Sequence, residues 1–417
     1  MTEQLVRPAG RDERPRSVDA DLRRRARAVI PGGMYGHQSA GPLPPEYPQF
    51  MRAGRGARIW DVDGNEYIDL MCSYGPVVLG HQHPAVEEAA GAQAALADCQ
   101  NGPGAVMVEL AELLVRTVDH ADWAMFAKNG TDATTMCVTI ARAQTGRERI
   151  LAAKGAYHGS APWCTPRLAG VTAADRENIG YYTYNDLESV IAAAEAGPEP
   201  AAIVVSPFRH DAGFDQELVC APFARGLREL CDRLGAALIL DDVRCGFRLH
   251  LGSSWEPLGV RPDLSAFSKA IANGHPLAAV LGSDRFREGA GKVFVTGSFW
   301  FSASAMAAAI ATIRALRAED AIAGMERTGT ALRDGITAQA AARGIEVNCT
   351  GPPAMPYLSF AGDTNHQLAS AFAAAALRQG AYLHPRHNWF VSAAMTGADL
   401  GRALTATEAA FGAVHAP

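Results

Sequence analysis

Residues Leu238 to Pro276 read LILDDVRCGFRLHLGSSWEPLGVRPDLSAFSKAIANGHP. The run Ala236-Ala237-Leu238-Ile239-Leu240 that leads into this stretch is short and apolar at successive positions. That pattern is expected of a parallel strand covered on both faces. It stops on two adjacent acids, Asp241 and Asp242, at the carboxyl end of the strand, where open α/β sheets place their ligands. Lys269 follows, flanked by small residues and the turn Asn273-Gly274. A buried carboxylate with a lysine amine is the pair pyridoxal phosphate (PLP) chemistry requires: the amine forms a Schiff base and the acid keeps the pyridine nitrogen protonated. The same residues also read as two loop-capping acids and one solvated lysine, and this stretch alone leaves both readings open.

The chain has 417 residues, 48% hydrophobic and 20% charged, with a formal net charge of −6. This is the composition of an ordinary globular protein, long enough for a large α/β domain and a smaller one. The charge points to neither nucleic acid nor an anionic membrane, and no apolar run approaches the roughly 20 residues that span a bilayer. The opening MTEQLVRPAGRDERPR lacks the apolar core of a signal peptide and reads as a polar tail. Eight scattered cysteines form no CxxC pair, which suggests reduced thiols and a cytoplasmic address.

Residues 18–30 pattern as an amphipathic helix ending at Pro31-Gly32-Gly33, followed by a Pro/Gly-rich loop. Residues 57–69 read as two strands joined at Asp63-Gly64. Helices are expected from His83 and over 105–118, and strand and helix signals then alternate to about residue 285, implying βα units on a mostly parallel sheet flanked by helices. Beyond residue 300 come long alanine-rich helices, two short strands near Pro356–Phe360 and Tyr382–Leu383, and a final helix over 397–414. The expected division is an N-terminal segment (1–55) joining the small domain, a large α/β domain (56–295) and a small α+β domain (296–417).

Asn129-Gly130-Thr131-Asp132-Ala133 runs straight into a helix. Its unpaired N–H groups and positive dipole end suit a phosphate, although an ordinary cap reads the same way. Tyr157-His158-Gly159 follows the apparent strand Ile150–Ala153, placing an aromatic residue where it can stack on a flat ring.

In this order, with Asp241-Asp242-Val243, Gly246-Phe247-Arg248 and Lys269, the chain resembles the class III, fold type I PLP-dependent aminotransferases, in particular the branch containing glutamate-1-semialdehyde 2,1-aminomutase. Ile30-Pro31-Gly32-Gly33, Asp61-Val62-Asp63-Gly64, Tyr67-Ile68-Asp69 and Leu79-Gly80-His81 extend the likeness over roughly residues 20–400. The resemblance implies Lys269 as Schiff-base lysine and proton shuttle, with Asp241 on the pyridinium. Val243 and Tyr157 would take the two ring faces, with His158 beside them, and Gly130 and Thr131 the phosphate. Gly297-Ser298 stands where the family carries Gly-Thr, so Ser298 would complete the phosphate site of a partner subunit in a homodimer.

Departures fall where substrate would bind. Residues 34–40, MYGHQSA, lack the arginine that grips the aminomutase's substrate carboxylate, and Tyr74 replaces a family tryptophan. His384-Pro385-Arg386-His387-Asn388-Trp389-Phe390 replaces a glutamate-containing segment. Arg386 there reads either as a replacement carboxylate clamp or as a tie between domains. Tyr35, Tyr74, Arg386 and His387 are therefore the expected substrate contacts. The implied activity is an aminotransferase moving an amino group between an amino acid or amine and a carbonyl acceptor. An aminomutase, racemase or decarboxylase on the same scaffold is the alternative.

Overall fold

The computed structural model describes residues 16–414; the polar N-terminal tail expected from the sequence lies outside these except for its last residue. Helix α1 (Ser17–Val29) leads through an irregular segment to strands β1 (Met51–Arg55), β2 (Arg58–Asp61) and β3 (Glu66–Asp69). Buried Asp19 fastens α1 to the strand that follows by accepting the N–H groups of Gln49 (2.9 Å) and Phe50 (3.0 Å). Strand β1 was not expected from the sequence; its residues are mostly exposed and pair antiparallel with β2, so burial imposes no apolar pattern on it.

Helices α2 (Pro84–Leu96) and α3 (Val106–Thr117) precede β4 (Trp123–Ala127), α4 (Gly130–Thr145), β5 (Ile150–Ala153) and β6 (Ile179–Tyr182). The chain continues with α5 (Leu187–Glu195), β7 (Ala202–Val205), a small hairpin of β8 (Phe208–Arg209) and β9 (Glu217–Leu218), and α6 (Ala221–Leu234). Then come β10 (Ala237–Asp241), β11 (Leu264–Phe267), β12 (Ala278–Gly282) and α7 (Arg287–Lys292). Seven of these strands form one sheet in the order β4-β12-β11-β10-β7-β5-β6. Strand β12 runs antiparallel to both neighbours, and the remaining pairs are parallel. Ile239 of β10 packs with Met136, Cys137 and Ile140 of α4. Its neighbours Leu238 and Leu240 pack with Phe223, Leu227 and Leu230 of α6. This alternation explains why both faces of β10 had to be apolar.

The chain closes with α8 (Ala303–Ala318), α9 (Ala321–Ala341), β13 (Val347–Thr350), β14 (Tyr357–Phe360), α10 (Gln367–Arg378), β15 (Ala381–Tyr382) and α11 (Gly397–Phe411). Strand β15 pairs parallel with β3, completing a four-stranded sheet β1-β2-β3-β15. Strand β13, not expected from the sequence, pairs antiparallel with β14 and has no fully buried residue. Ala57, Ile59, Tyr67, Ile68 and Leu70 pack into the same cluster as Phe360, Phe372, Trp389 and Phe411. Met306, Ile310, Ile313 and Met325 pack instead with Phe126, Phe267 and Leu281 of the central sheet. The cores thus exchange chain across the divisions expected at residues 56 and 296. Among the described residues no helix is long and apolar enough to cross a membrane.

Candidate active site

Four loops meet at the carboxyl ends of the parallel strands, where β4, β5, β10 and β11 release the chain. Strand β10 ends on Asp241, which is 6% exposed. Its Oδ2 lies 2.7 Å from His158 Nδ1, and its Oδ1 accepts the Val243 N–H at 3.2 Å. His158 is held in turn by Thr134, whose hydroxyl donates to its carbonyl at 2.7 Å, and by Trp163, stacked on the imidazole at 6.3 Å and 11°. Buried His158 Nε2 has no partner among the described residues. Neighbouring Asp242 serves a different end: it is fully buried and accepts from Ser253 and Ser254, capping the loop they open. Burial lifts its pKa to about 7.

Lys269 begins the turn after β11 at φ 47°, a left-handed conformation that a residue with a Cβ adopts at a cost of roughly 1 kcal/mol or more. Burial lowers its pKa to about 8, helped by the Arg244 guanidinium and opposed by Asp241. A proton-shuttling amine needs this shift, because it brings the neutral form within reach of physiological pH. A Cβ on Gly75 would stand 3.2 Å from Lys269 Cδ and 3.0 Å from the Phe390 ring, so the backbone at Gly75 forms one wall of the lysine channel. That wall is built by a left-handed turn, Cys72, Ser73 and Tyr74 having φ 47°, 54° and 64°. Arg248, wholly buried, donates to the carbonyls of Gly75 (2.8 Å) and Val391 (2.6 Å) and pins the turn.

Asn129 caps α4 with a reciprocal capping box to Asp132. Gly130 is the first residue of the helix, and a Cβ there would come within 2.6 Å of Val243 Cγ1. The Thr131 hydroxyl accepts the Ser160 N–H at 3.1 Å, joining this loop to the segment after His158. Tyr157 is 38% exposed at the same mouth. Tyr74 meets a ring of imidazoles edge-on: His37 at 4.9 Å, His387 at 5.2 Å and His384 at 6.1 Å. Burial keeps all three histidines neutral at physiological pH, lowering His384 to about 4.

The structure thus gathers Lys269, Asp241, His158, Val243, Gly130, Thr131 and Tyr157 around the sheet ends, and Tyr74 and His387 together beside them. Other expected residues lie elsewhere. Tyr35 is 73% exposed, Ser298 is exposed in an irregular segment, and Arg386 Nη2 donates to the Pro42 carbonyl at 3.2 Å. Sequence reasoning assigned no role to Arg244 or Asn388, although both stand inside the stretches it singled out. Arg244 Nη1 donates to Asn388 Oδ1 at 2.9 Å and to the His210 carbonyl at 3.3 Å. A charged residue one position beyond Val243, on the turn that carries Asp241, was the available signal.

The donor set fits pyridoxal phosphate: a desolvated amine, a carboxylate braced from behind by an imidazole, and a helix amino terminus pressed against the residue between them. Comparison with known proteins agrees. Residues 43–396 match the family model for aminotransferase class-III. The chain is 52% identical over 395 residues to the aminopentol aminotransferase of Sphingopyxis macrogoltabida, covering 94% of each protein. It is 34% identical over 421 residues to the glutamate-1-semialdehyde 2,1-aminomutase of Desulfatibacillum aliphaticivorans, covering 93% of this chain and 97% of that one. The solved PLP internal aldimine form of the FumI protein of Sphingopyxis sp. MTA144 superimposes with a TM-score of 0.94 at 52% identity, over 95% of this chain and 96% of that one. The chain belongs to the class III aminotransferases. It is a PLP-dependent aminotransferase of fold type I.

Proposed function

We propose that Lys269 is the lysine that holds the cofactor and then moves the proton, and that the donor is a hydroxylated primary amine. The depressed pKa of Lys269, at about 8, beside a braced Asp241 is the observation that carries the first part. When bound, pyridoxal phosphate supplies the aldehyde that captures an amine and the ring that takes up electrons from the broken C–H bond. The Lys269 amine would hold the cofactor and, once free, would take the proton from the substrate carbon and hand it back to the cofactor side. Asp241, oriented by His158 at 2.7 Å, would hold a proton on the ring nitrogen. Gly130 and Thr131 would receive the phosphate at the helix terminus, while Val243 and Tyr157 would flank the ring.

The aminopentol specificity named for the 52%-identical relative supports a hydroxylated donor. So does the chemistry of the mouth, where Tyr74, His37, His384 and His387 offer hydrogen bonds without charge. Arg386 serves as a tie to the N-terminal segment, as its contact with Pro42 suggests, and Tyr35 meets substrate at the outer rim. The enzyme acts in the cytoplasm as a homodimer in which Ser298 reaches the partner's phosphate. Phe294, 93% exposed, and Phe299, 66% exposed, flank Ser298 and would be covered by that partner. The N-terminal segment joins the small domain in each subunit, the large domain carrying the cofactor.

Half-reactions followed by absorbance test the reading. Holoenzyme mixed with amino-polyols, simple amines or α-amino acids, one at a time and without acceptor, loses the cofactor's aldehyde-state absorption with the amino-polyols. Isomerised or decarboxylated substrate with no such loss would instead assign the mutase or decarboxylase alternative.

A further inference from the structure

Helix α4 carries three threonines on one face, Thr131, Thr134 and Thr135, at the helical spacings that bring side chains together. Each is joined to the segment over 158–163. The Thr131 hydroxyl accepts the Ser160 N–H at 3.1 Å, and the Thr134 hydroxyl donates to the His158 carbonyl at 2.7 Å. The Trp163 indole N–H donates to the Thr135 hydroxyl at 3.1 Å. Gly159 lets the segment lie this close: its φ is 129°, and a Cβ there would stand 2.5 Å from the Thr131 hydroxyl oxygen.

These bonds hold the backbone of His158 but leave its imidazole with one tether. Nδ1 lies 2.7 Å from Asp241 Oδ2, while buried Nε2 has no hydrogen-bond partner among the described residues. A ring bonded at one atom can still swing about its Cβ–Cγ bond, a soft torsion in histidine, and the swing turns Nδ1 off the line to the carboxylate. Trp163 removes that freedom. Its indole lies nearly parallel to the imidazole, at 6.3 Å and 11°, an offset stack of the kind aromatic pairs prefer. The bond to Thr135 fixes the indole in turn. Since the Val243 N–H secures the other oxygen of Asp241 at 3.2 Å, the imidazole plane is what remains to set the carboxylate. The segment also lies within the field of Asp241. Burial pushes the thiol of Cys164, next to Trp163, up to about 12, and the Asp241 charge adds to the rise.

We propose that Trp163 is a positioning residue for amine transfer: its indole, anchored on Thr135, sets the plane of His158 and, through His158, the aim of the Asp241 carboxylate at the cofactor's ring nitrogen. The inference rests on Asp241 serving that nitrogen, and extends the site to a side chain that acts only through another.

The test compares Trp163→Leu, Trp163→Phe and Thr135→Val in the full-length protein. One readout is the downfield proton resonance of the His158–Asp241 hydrogen bond, followed with and without cofactor and assigned by its loss in His158→Asn. The other is the half-reaction with an amino-polyol, resolved into the rate at saturating amine and the amine concentration at half-saturation. With Trp163→Leu the resonance broadens into exchange with solvent, and the saturated rate falls about 10- to 100-fold while half-saturation stays within about twofold. Trp163→Phe keeps a flat ring on the imidazole and retains most of both signals; Thr135→Val, which unfastens the indole without removing it, falls between. These two variants carry the test if the Leu variant does not fold. A lower melting temperature with resonance and rate unchanged would overturn the inference by giving Trp163 a purely structural part. Equal losses in the Phe and Leu variants would overturn it too, because a flat ring would then not be what matters. Loss of the resonance at an unchanged rate would leave Trp163 aiming His158 and overturn the Asp241 reading, and with it the inference.

Discussion

At the residue scale, the chemistry depends on what burial does to one amine. Lys269 is desolvated and lies within the field of Arg244, so its native pKa of about 8 lies below the ordinary 10.5. Between these values the unfolded chain binds more protons than the native one. The native state therefore bears the whole penalty below pH 8 and is relieved as pH climbs toward 10.5. Cofactor-free Lys269→Met is expected to melt higher than wild type at pH 7, with the gap closing between pH 8 and 10.5; a constant gap across a pH series of thermal melts would show that the amine is not desolvated. The sequence singled out Lys269 and Asp241 only through the motif order shared with the class III family, because their own stretch reads equally as loop-capping acids and a solvated lysine. Their supports were less legible still. That His158 braces Asp241 at 2.7 Å, and that the Arg244 charge acts on Lys269, depend on where separate loops converge, which no local pattern records.

Elements place these side chains by close approach. Helix α4 starts at Gly130 against Val243, and the capping box of Asn129 and Asp132 fixes its first turn. A Cβ at Gly130 must displace Val243, an overpacking worth about 1–3 kcal/mol. Gly130→Ala is expected to weaken cofactor binding about 10- to 100-fold in titrations of the apoprotein, with a small change in its melting temperature; unaltered affinity would remove Gly130 from the phosphate site. The strand-to-helix signals of the large unit were readable because β10, β7 and β5 are buried on both faces and have to be apolar. Strands β1 and β13 were not, since neither has a fully buried residue. The antiparallel course of β12 was equally hidden: a fully buried strand carries the same apolar run in either direction.

On the scale of the whole molecule, the two cores interleave along the chain. Ala57–Leu70 pack with the C-terminal elements, and Met306–Met325 return to the central sheet. Composition marked where the alanine-rich helices begin but not which sheet they cover. The exposed Phe294, Ser298 and Phe299 follow the same logic one level higher, since a single chain gives these residues nothing to pack against. If Ser298 belongs to the partner's site, lesions at Lys269 and Ser298 must complement across subunits. The decisive measurement is the activity of dimers co-expressed from Lys269→Ala and Ser298→Glu chains, the latter placing a negative charge against the phosphate. Each mixed dimer then holds one site with both lesions and one with neither. Random pairing is expected to restore about a quarter of wild-type activity in the mixture, far above either parent. Activity no greater than the average of the two parents would contradict a Lys269 site completed across a homodimer interface.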